Sequence, residues 1–122
     1  MAQRVLLVED EANIAEAIRF LLSRDGWEVL HLPDGQRVLE AARDEAPVLI
    51  ILDHMLPDRS GLDILTALKA DPATAALPVL MLTAKSQGRD REAAERAGAD
   101  LFMTKPFSNA EMLAAVRTLA GR

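Results

Sequence analysis

Glu9, Asp10, Asp53, Thr83 and Lys105 each stand where an apolar run stops. Glu9 and Asp10 follow Arg4 to Val8, Asp53 ends the unbroken run from Val48 to Leu52, Thr83 ends the run from Pro78, and Lys105 follows Asp100 to Thr104. A short, uninterrupted run of Val, Ile and Leu reads as a strand buried on both faces, as in a parallel sheet. In an open α/β sheet, chemistry gathers at the carboxyl ends of the strands. There these side chains can converge as three carboxylates, one hydroxyl and one ammonium. Carboxylates held close resist ionising unless something compensates. A divalent cation is the natural compensation, and hard oxygens with room for water suit Mg2+ better than Zn2+, which prefers His or Cys. An aspartate can also attack phosphorus and become an aspartyl phosphate. A metal, a lysine and a hydroxyl then bear the charge of the transferring group. On this reading Asp53, which ends the central strand, is the nucleophile. Glu9 and Asp10 are the metal residues, Lys105 is the counter-charge, and Thr83 is the hydroxyl that follows the phosphoryl group.

The elements that must position these residues alternate along the chain. After the first strand, Ile14, Ala17, Ile18, Leu21 and Leu22 form one stripe of an amphipathic helix from Ala12 to Arg24, ended by Asp25 and Gly26. Trp27 to Leu32 alternates more weakly and reads as a strand toward a sheet edge. A helix marked by Val38, Leu39 and Ala42 runs to about Glu45 and precedes the Asp53 strand. Pro57, Asp58, Ser60 and Gly61 make a loop, and Leu62, Ile64, Leu65 and Leu68 give a helix to about Ala70. An Ala-rich connection leads into the Thr83 strand. A polar stretch from Ala84 to Arg89 precedes a charged helix from Asp90 to about Ala97, closed by Gly98. The fifth strand ends at Lys105 and Pro106. Ser108 is the expected N-cap of a last helix from Asn109 or Ala110 to Leu119, with Glu111 at the capping-box position. Strict alternation with short connections predicts a parallel sheet covered by helices on both faces.

A chain of 122 residues reads as one domain, 1–122, long enough to bury roughly two-thirds of its unfolded surface. With 50% hydrophobic residues it is not a disordered segment. The net charge of −5 argues against a nucleic-acid surface, which needs a basic stripe. No cysteine is present, so thiolate and disulfide chemistry are excluded. Neither a signal peptide nor a membrane span is read in the sequence, and a soluble, cytoplasmic protein is the default expectation.

Leu7 to Glu11, Leu52 to Pro57, Gly61, Met81 to Ala84 and Thr104 to Phe107 together resemble the receiver domains of bacterial two-component response regulators, the CheY-like family. Within it the sequence is most similar to the OmpR/PhoB class. Each piece alone is weak; the set, in order along nearly the whole chain, is specific. The resemblance implies a doubly wound, five-stranded parallel sheet of order 2-1-3-4-5 flanked by five helices. It implies that Asp53 accepts a phosphoryl group from a sensor histidine kinase or phosphotransfer protein, in a phosphorelay. It implies that Asp10 and Asp53 bind Mg2+ directly, with the backbone carbonyl of Met55 as a further ligand and Glu9 acting through a bound water. Thr83 and Lys105 would contact the phosphoryl group, and the Lys105–Pro106 peptide would be cis. As Thr83 moves, Phe102 would turn inward, making these two the switch pair. The class dimerises through the face of the fourth helix, fifth strand and fifth helix, and Arg91, Asp100 and Glu111 match its interface pattern. Two departures stand out. Phe102 occupies a position that is commonly tyrosine, and Leu101 and Ala115 stand where the class usually has an acid and an arginine, so the usual salt-bridge set is incomplete.

Other readings compete. Asp53 alone is as good a turn former as a site residue, and Glu9 to Glu11 alone reads as a solvated helix start. His54 invites a general-base role but reads better as a partly exposed neighbour, and His31 reads as a surface strand residue. A pseudo-receiver, a protein-binding module that is not phosphorylated, would usually lack Asp10, Asp53 or Lys105. A phosphohydrolase with an Asp nucleophile wants a second acid two residues on, where this chain has Met55. The acidic, glycine-free loop after the first strand would repel a dinucleotide's pyrophosphate.

Overall fold

The computed structural model describes residues 3–83 and 88–121, without the side chains of residues 88–91. Strands and helices alternate as β1 (Arg4–Val8), α1 (Ala12–Arg24), β2 (Glu28–Leu32), α2 (Val38–Asp44), β3 (Leu49–Asp53), α3 (Gly61–Ala70), β4 (Val79–Thr83), α4 (Gly88–Ala97), β5 (Leu101–Thr104) and α5 (Asn109–Leu119). The five strands form one parallel sheet of order β2-β1-β3-β4-β5. This is the order the resemblance implies, with β2 at an edge.

Alternation along the central strands divides the core into two layers. Val5, Leu7, Leu49, Ile51, Leu80 and Leu82 pack against Ile18 and Leu22 of α1 and Met112 and Val116 of α5. Leu6, Val8, Ile50, Leu52, Val79 and Met81 pack against Val38 of α2, Ile64, Leu65 and Leu68 of α3 and Ala94 of α4. Strands covered on both faces need no polar side, which is why β1, β3 and β4 read as unbroken apolar runs.

Some boundaries shift. Trp27 lies before β2, not in it. Its backbone N–H bonds to the Leu22 carbonyl and that of Gly26 (φ +92°) to Ser23, a glycine turn that closes α1. Trp27 is buried there, with its indole N–H donating to Asp25 at 3.0 Å. α4 begins at Gly88, two residues before the expected Asp90. It closes as expected at Gly98 (φ +103°), where the next N–H, from Ala99, reaches back to Ala94. Ser108 caps α5 through a complete capping box: its Oγ accepts the Glu111 N–H and the Glu111 carboxylate accepts the Ser108 N–H, each at 3.0 Å.

Candidate functional site

Because all strands run one way, their carboxyl ends share an edge, and the five chemistry-bearing residues stand along it. Asp53 is the last residue of β3 and Thr83 the last of β4, and both are buried. Their strands are in register with Asp53 beside Leu82, so Thr83 stands one step further out. Glu9 and Asp10 follow β1; Glu9 is wholly buried and Asp10 exposed. Lys105 follows β5, its N–H tied to the Thr83 carbonyl at 2.9 Å.

Lys105 joins the acidic groups. Its Nζ lies 2.8 Å from Glu9 Oε1, 3.2 Å from Asp53 Oδ2 and 3.5 Å from Glu11 Oε1. The Glu9 contact is one of charge without hydrogen-bond alignment, so that buried oxygen has no hydrogen-bond partner. Glu9 Oε2 accepts the Glu11 N–H at 3.1 Å. The Lys105–Pro106 peptide is cis.

These contacts set the protonation states. Burial pushes the Asp53 carboxyl up, the adjoining Glu9 carboxylate pushes it further, and Lys105 only partly offsets them, leaving Asp53 at about 7. Burial also works to raise Glu9. The neighbouring Asp53 carboxyl, the Lys105 ammonium and the Glu11 N–H together outweigh it and hold Glu9 below the usual carboxylate range. Lys105 loses from burial but gains more from the two carboxylates, so its pKa is raised. Without a metal, then, the coupled Glu9–Asp53 pair loses its last proton near neutrality.

Ligand oxygens of Glu9, Asp10 and Asp53 can come within 4.8 Å of one another. An all-oxygen set with one unaligned buried carboxylate oxygen and one exposed ligand open to water fits a hard divalent cation such as Mg2+. The surrounding opening, about 410 Å³, is lined by Asp10, Glu11, Asp53, Met55, Leu56, Pro57 and Lys105. The Met55 side chain is 68% exposed, and its N–H approaches Asp53 Oδ1 at 3.4 Å. The loop it begins is folded back by the Gly61 N–H on the His54 carbonyl at 2.8 Å.

Of the switch pair, Thr83 stands at the site; Phe102 and the interface residues lie elsewhere. Phe102 is partly buried on β5, packed against the layer that contains α4. Asp100 and Glu111 already serve the fold. Asp100 Oδ2 accepts the Val79 N–H at 2.8 Å and lies 3.4 Å from Lys69 Nζ, and Glu111 completes the α5 capping box. The side chain of Arg91 lies outside the described residues. Two groups at the site escaped the sequence reading. The Glu11 N–H holds Glu9, and His31, expected on the surface, is half-buried with Nε2 2.7 Å from the Glu9 carbonyl. Backbone partners leave no residue-type signal; His31 at the end of an edge strand was the one available clue.

The chain is similar to known proteins along nearly its whole length. The family model described as response regulator receiver domain matches residues 5–117. The chain is 43% identical over 118 residues to the probable transcriptional regulatory protein TcrX of Mycobacterium tuberculosis, covering 97% of this chain and 50% of that protein. It is 38% identical to the phosphate regulon transcriptional regulatory protein PhoB of Escherichia coli, covering 100% of this chain and 53% of that protein. It thus spans about half the length of these curated relatives. A crystal structure of a candidate response regulator from Chloroflexus aurantiacus superposes with a TM-score of 0.94 at 30% identity, each chain fully covered.

Proposed function

The chain belongs to the response regulator receiver domain family of two-component signal transduction, and from that premise we propose that it is a Mg2+-dependent phosphoacceptor whose working residue is Asp53. The observation that carries this reading is the buried Asp53 carboxylate at the end of the central strand, 3.2 Å from Lys105 Nζ and grouped with Glu9 and Asp10. A receiver is a signalling domain, not a metabolic enzyme; its slow phosphoryl chemistry, on and off, is self-catalysed.

The donor is a phosphohistidine of a sensor histidine kinase or phosphotransfer protein. An Asp53 Oδ attacks phosphorus, a P–O bond forms as the P–N bond breaks, and the imidazole nitrogen keeps the electron pair. Attack needs the ionised carboxylate, and the Lys105 ammonium favours that form. Asp10, Asp53 and the Met55 carbonyl would hold Mg2+, with Glu9 acting through a water. Bound there, Mg2+ would neutralise charge on the transferring phosphoryl group. Lys105 and the Thr83 hydroxyl hold the remaining phosphoryl oxygens. The new dianionic group draws Thr83 inward and shifts Phe102, changing the α4–β5–α5 face. That face then acts on an output domain, a partner or a second copy, with Arg91, Asp100 and Glu111 at its interface. No helix among the described residues is long and apolar enough to cross a membrane, in keeping with a receiver working in the cytoplasm.

Intact-mass spectrometry after incubation with Mg2+ and a small acyl phosphate, beside Asp53→Asn, tests this. The expected result is a gain of one phosphoryl group that requires Mg2+ and is absent from the variant. No gain from either the small donor or a phosphorylated histidine kinase would overturn the reading in favour of a phosphorylation-independent binding module.

A further inference from the structure

β1 leaves the sheet at Glu9. Its pairing with both neighbours ends at Val8, opposite Leu32 of β2 and Leu52 of β3. The next residue is nonetheless held by the end of β2 through both of its peptide groups. The Glu9 N–H donates to the Leu32 carbonyl at 3.1 Å, and the Glu9 carbonyl is met by His31 Nε2 at 2.7 Å. A carbonyl can only accept, so Nε2 carries the proton, as it does in one neutral tautomer and in the imidazolium alike. The bond therefore does not require a charged ring.

That carbonyl belongs to the peptide plane joining Glu9 to Asp10. Rotating the plane would swing the two carboxylates relative to each other, and these are two of the three residues whose oxygens converge within 4.8 Å. His31 reaches the carbonyl because it is level with Leu7, two residues before Glu9, on the strand beside β1. The residue is half-buried on the edge strand.

We propose that His31 is a positioning residue for the acidic pocket: its Nε2–H fixes the Glu9–Asp10 peptide plane and so holds both carboxylates toward a divalent cation. This rests on the metal-site reading above and adds to it a residue outside the ligand set. Removing a group that orients metal ligands from behind commonly weakens metal binding by about 10–100-fold.

The test separates donor from bulk. His31→Phe keeps a ring and removes the donor; His31→Gln keeps an amide N–H at nearly the reach of Nε2. Mg2+ is titrated calorimetrically into wild type, both variants and Asp10→Asn, with melting measured in EDTA. The expected result is Mg2+ binding about tenfold weaker in His31→Phe, restored toward wild type in His31→Gln, with no matching order in the EDTA melts. If His31→Phe fails to fold, His31→Asn, whose amide is one bond too short, takes its place with the same expectation. Wild-type Mg2+ affinity in the donor-less variant, while Asp10→Asn loses binding, would overturn the role of His31 alone. Equal binding by wild type and Asp10→Asn would overturn the metal site and this inference with it.

Discussion

Asp53 combines the position proposed for a nucleophile with a carboxyl that burial and Glu9 hold well above the usual carboxylate range. Held at about 7 by burial and by Glu9, it keeps a proton that the unfolded chain has lost from the ordinary value of 3.8 upward. The folded protein therefore binds more protons than the unfolded one through this window, and stability must fall as pH rises through it. Glu9 acts with the opposite sign, but its window lies below the ordinary 4.5. Lys105, raised from 10.5, contributes stability that is fully present below that value and is lost at higher pH. In EDTA the melting temperature of wild type is expected to decline between about pH 4 and pH 7 relative to Asp53→Asn, and to level off above. Parallel curves for the two proteins would contradict the assignment of the proton. The residues of this site were legible because a polar side chain ending an apolar run is conspicuous. What the sequence could not reveal is the partner chemistry carried by backbone: the Glu11 N–H on Glu9, and the Glu9 carbonyl on His31.

The elements hold the site by close approach as much as by hydrogen bonds. At the start of α3, a Cβ on Gly61 would lie 2.3 Å from the Asp53 carbonyl oxygen and 2.9 Å from His54 Cα. Both are backbone atoms at the end of β3, so neither can rotate away. Gly61→Ala is expected to lower stability by about 2–3 kcal/mol and to slow phosphorylation of Asp53, since its own carbonyl is among the displaced atoms. Urea unfolding with the mass assay checks both, and an unchanged phosphorylation rate in a destabilised variant would show that the strain is absorbed by α3 instead. Element types were readable because β1, β3 and β4 are buried on both faces and helical stripes have their own period. Element ends were less so. Trp27 has the side chain of a strand residue but is drawn into the α1 closing turn by its N–H bond to Leu22. The connection after α3 reads in the sequence only as Ala-rich, yet Thr74 is buried there, its hydroxyl donating to the Leu68 carbonyl at 2.7 Å.

For the whole molecule, output requires a surface that can be read by something else. Asp100 and Glu111 are poor reporters of the α4–β5–α5 face, because each is already a fastener: Asp100 for the start of β4, Glu111 for the start of α5. Substituting either would weaken the monomer along with any assembly. Leu101 and Ala115 are better placed. Both are partly buried hydrophobics set against the same core layer, at positions where the OmpR/PhoB class usually carries an acid and an arginine. In a twofold assembly each cross-subunit pair forms twice, so a modest gain per pair is doubled. If phosphorylated chains associate through this face, Leu101→Asp combined with Ala115→Arg should tighten the dimer by about tenfold, from two pairs each contributing below about 1 kcal/mol. Either change alone should not tighten it, since it leaves a charge unmatched at the interface. Sedimentation velocity of the phosphorylated proteins over a concentration series measures this. A double variant that associates no more tightly than wild type would mean that phosphorylation of this domain is read by a different surface or by a different kind of partner.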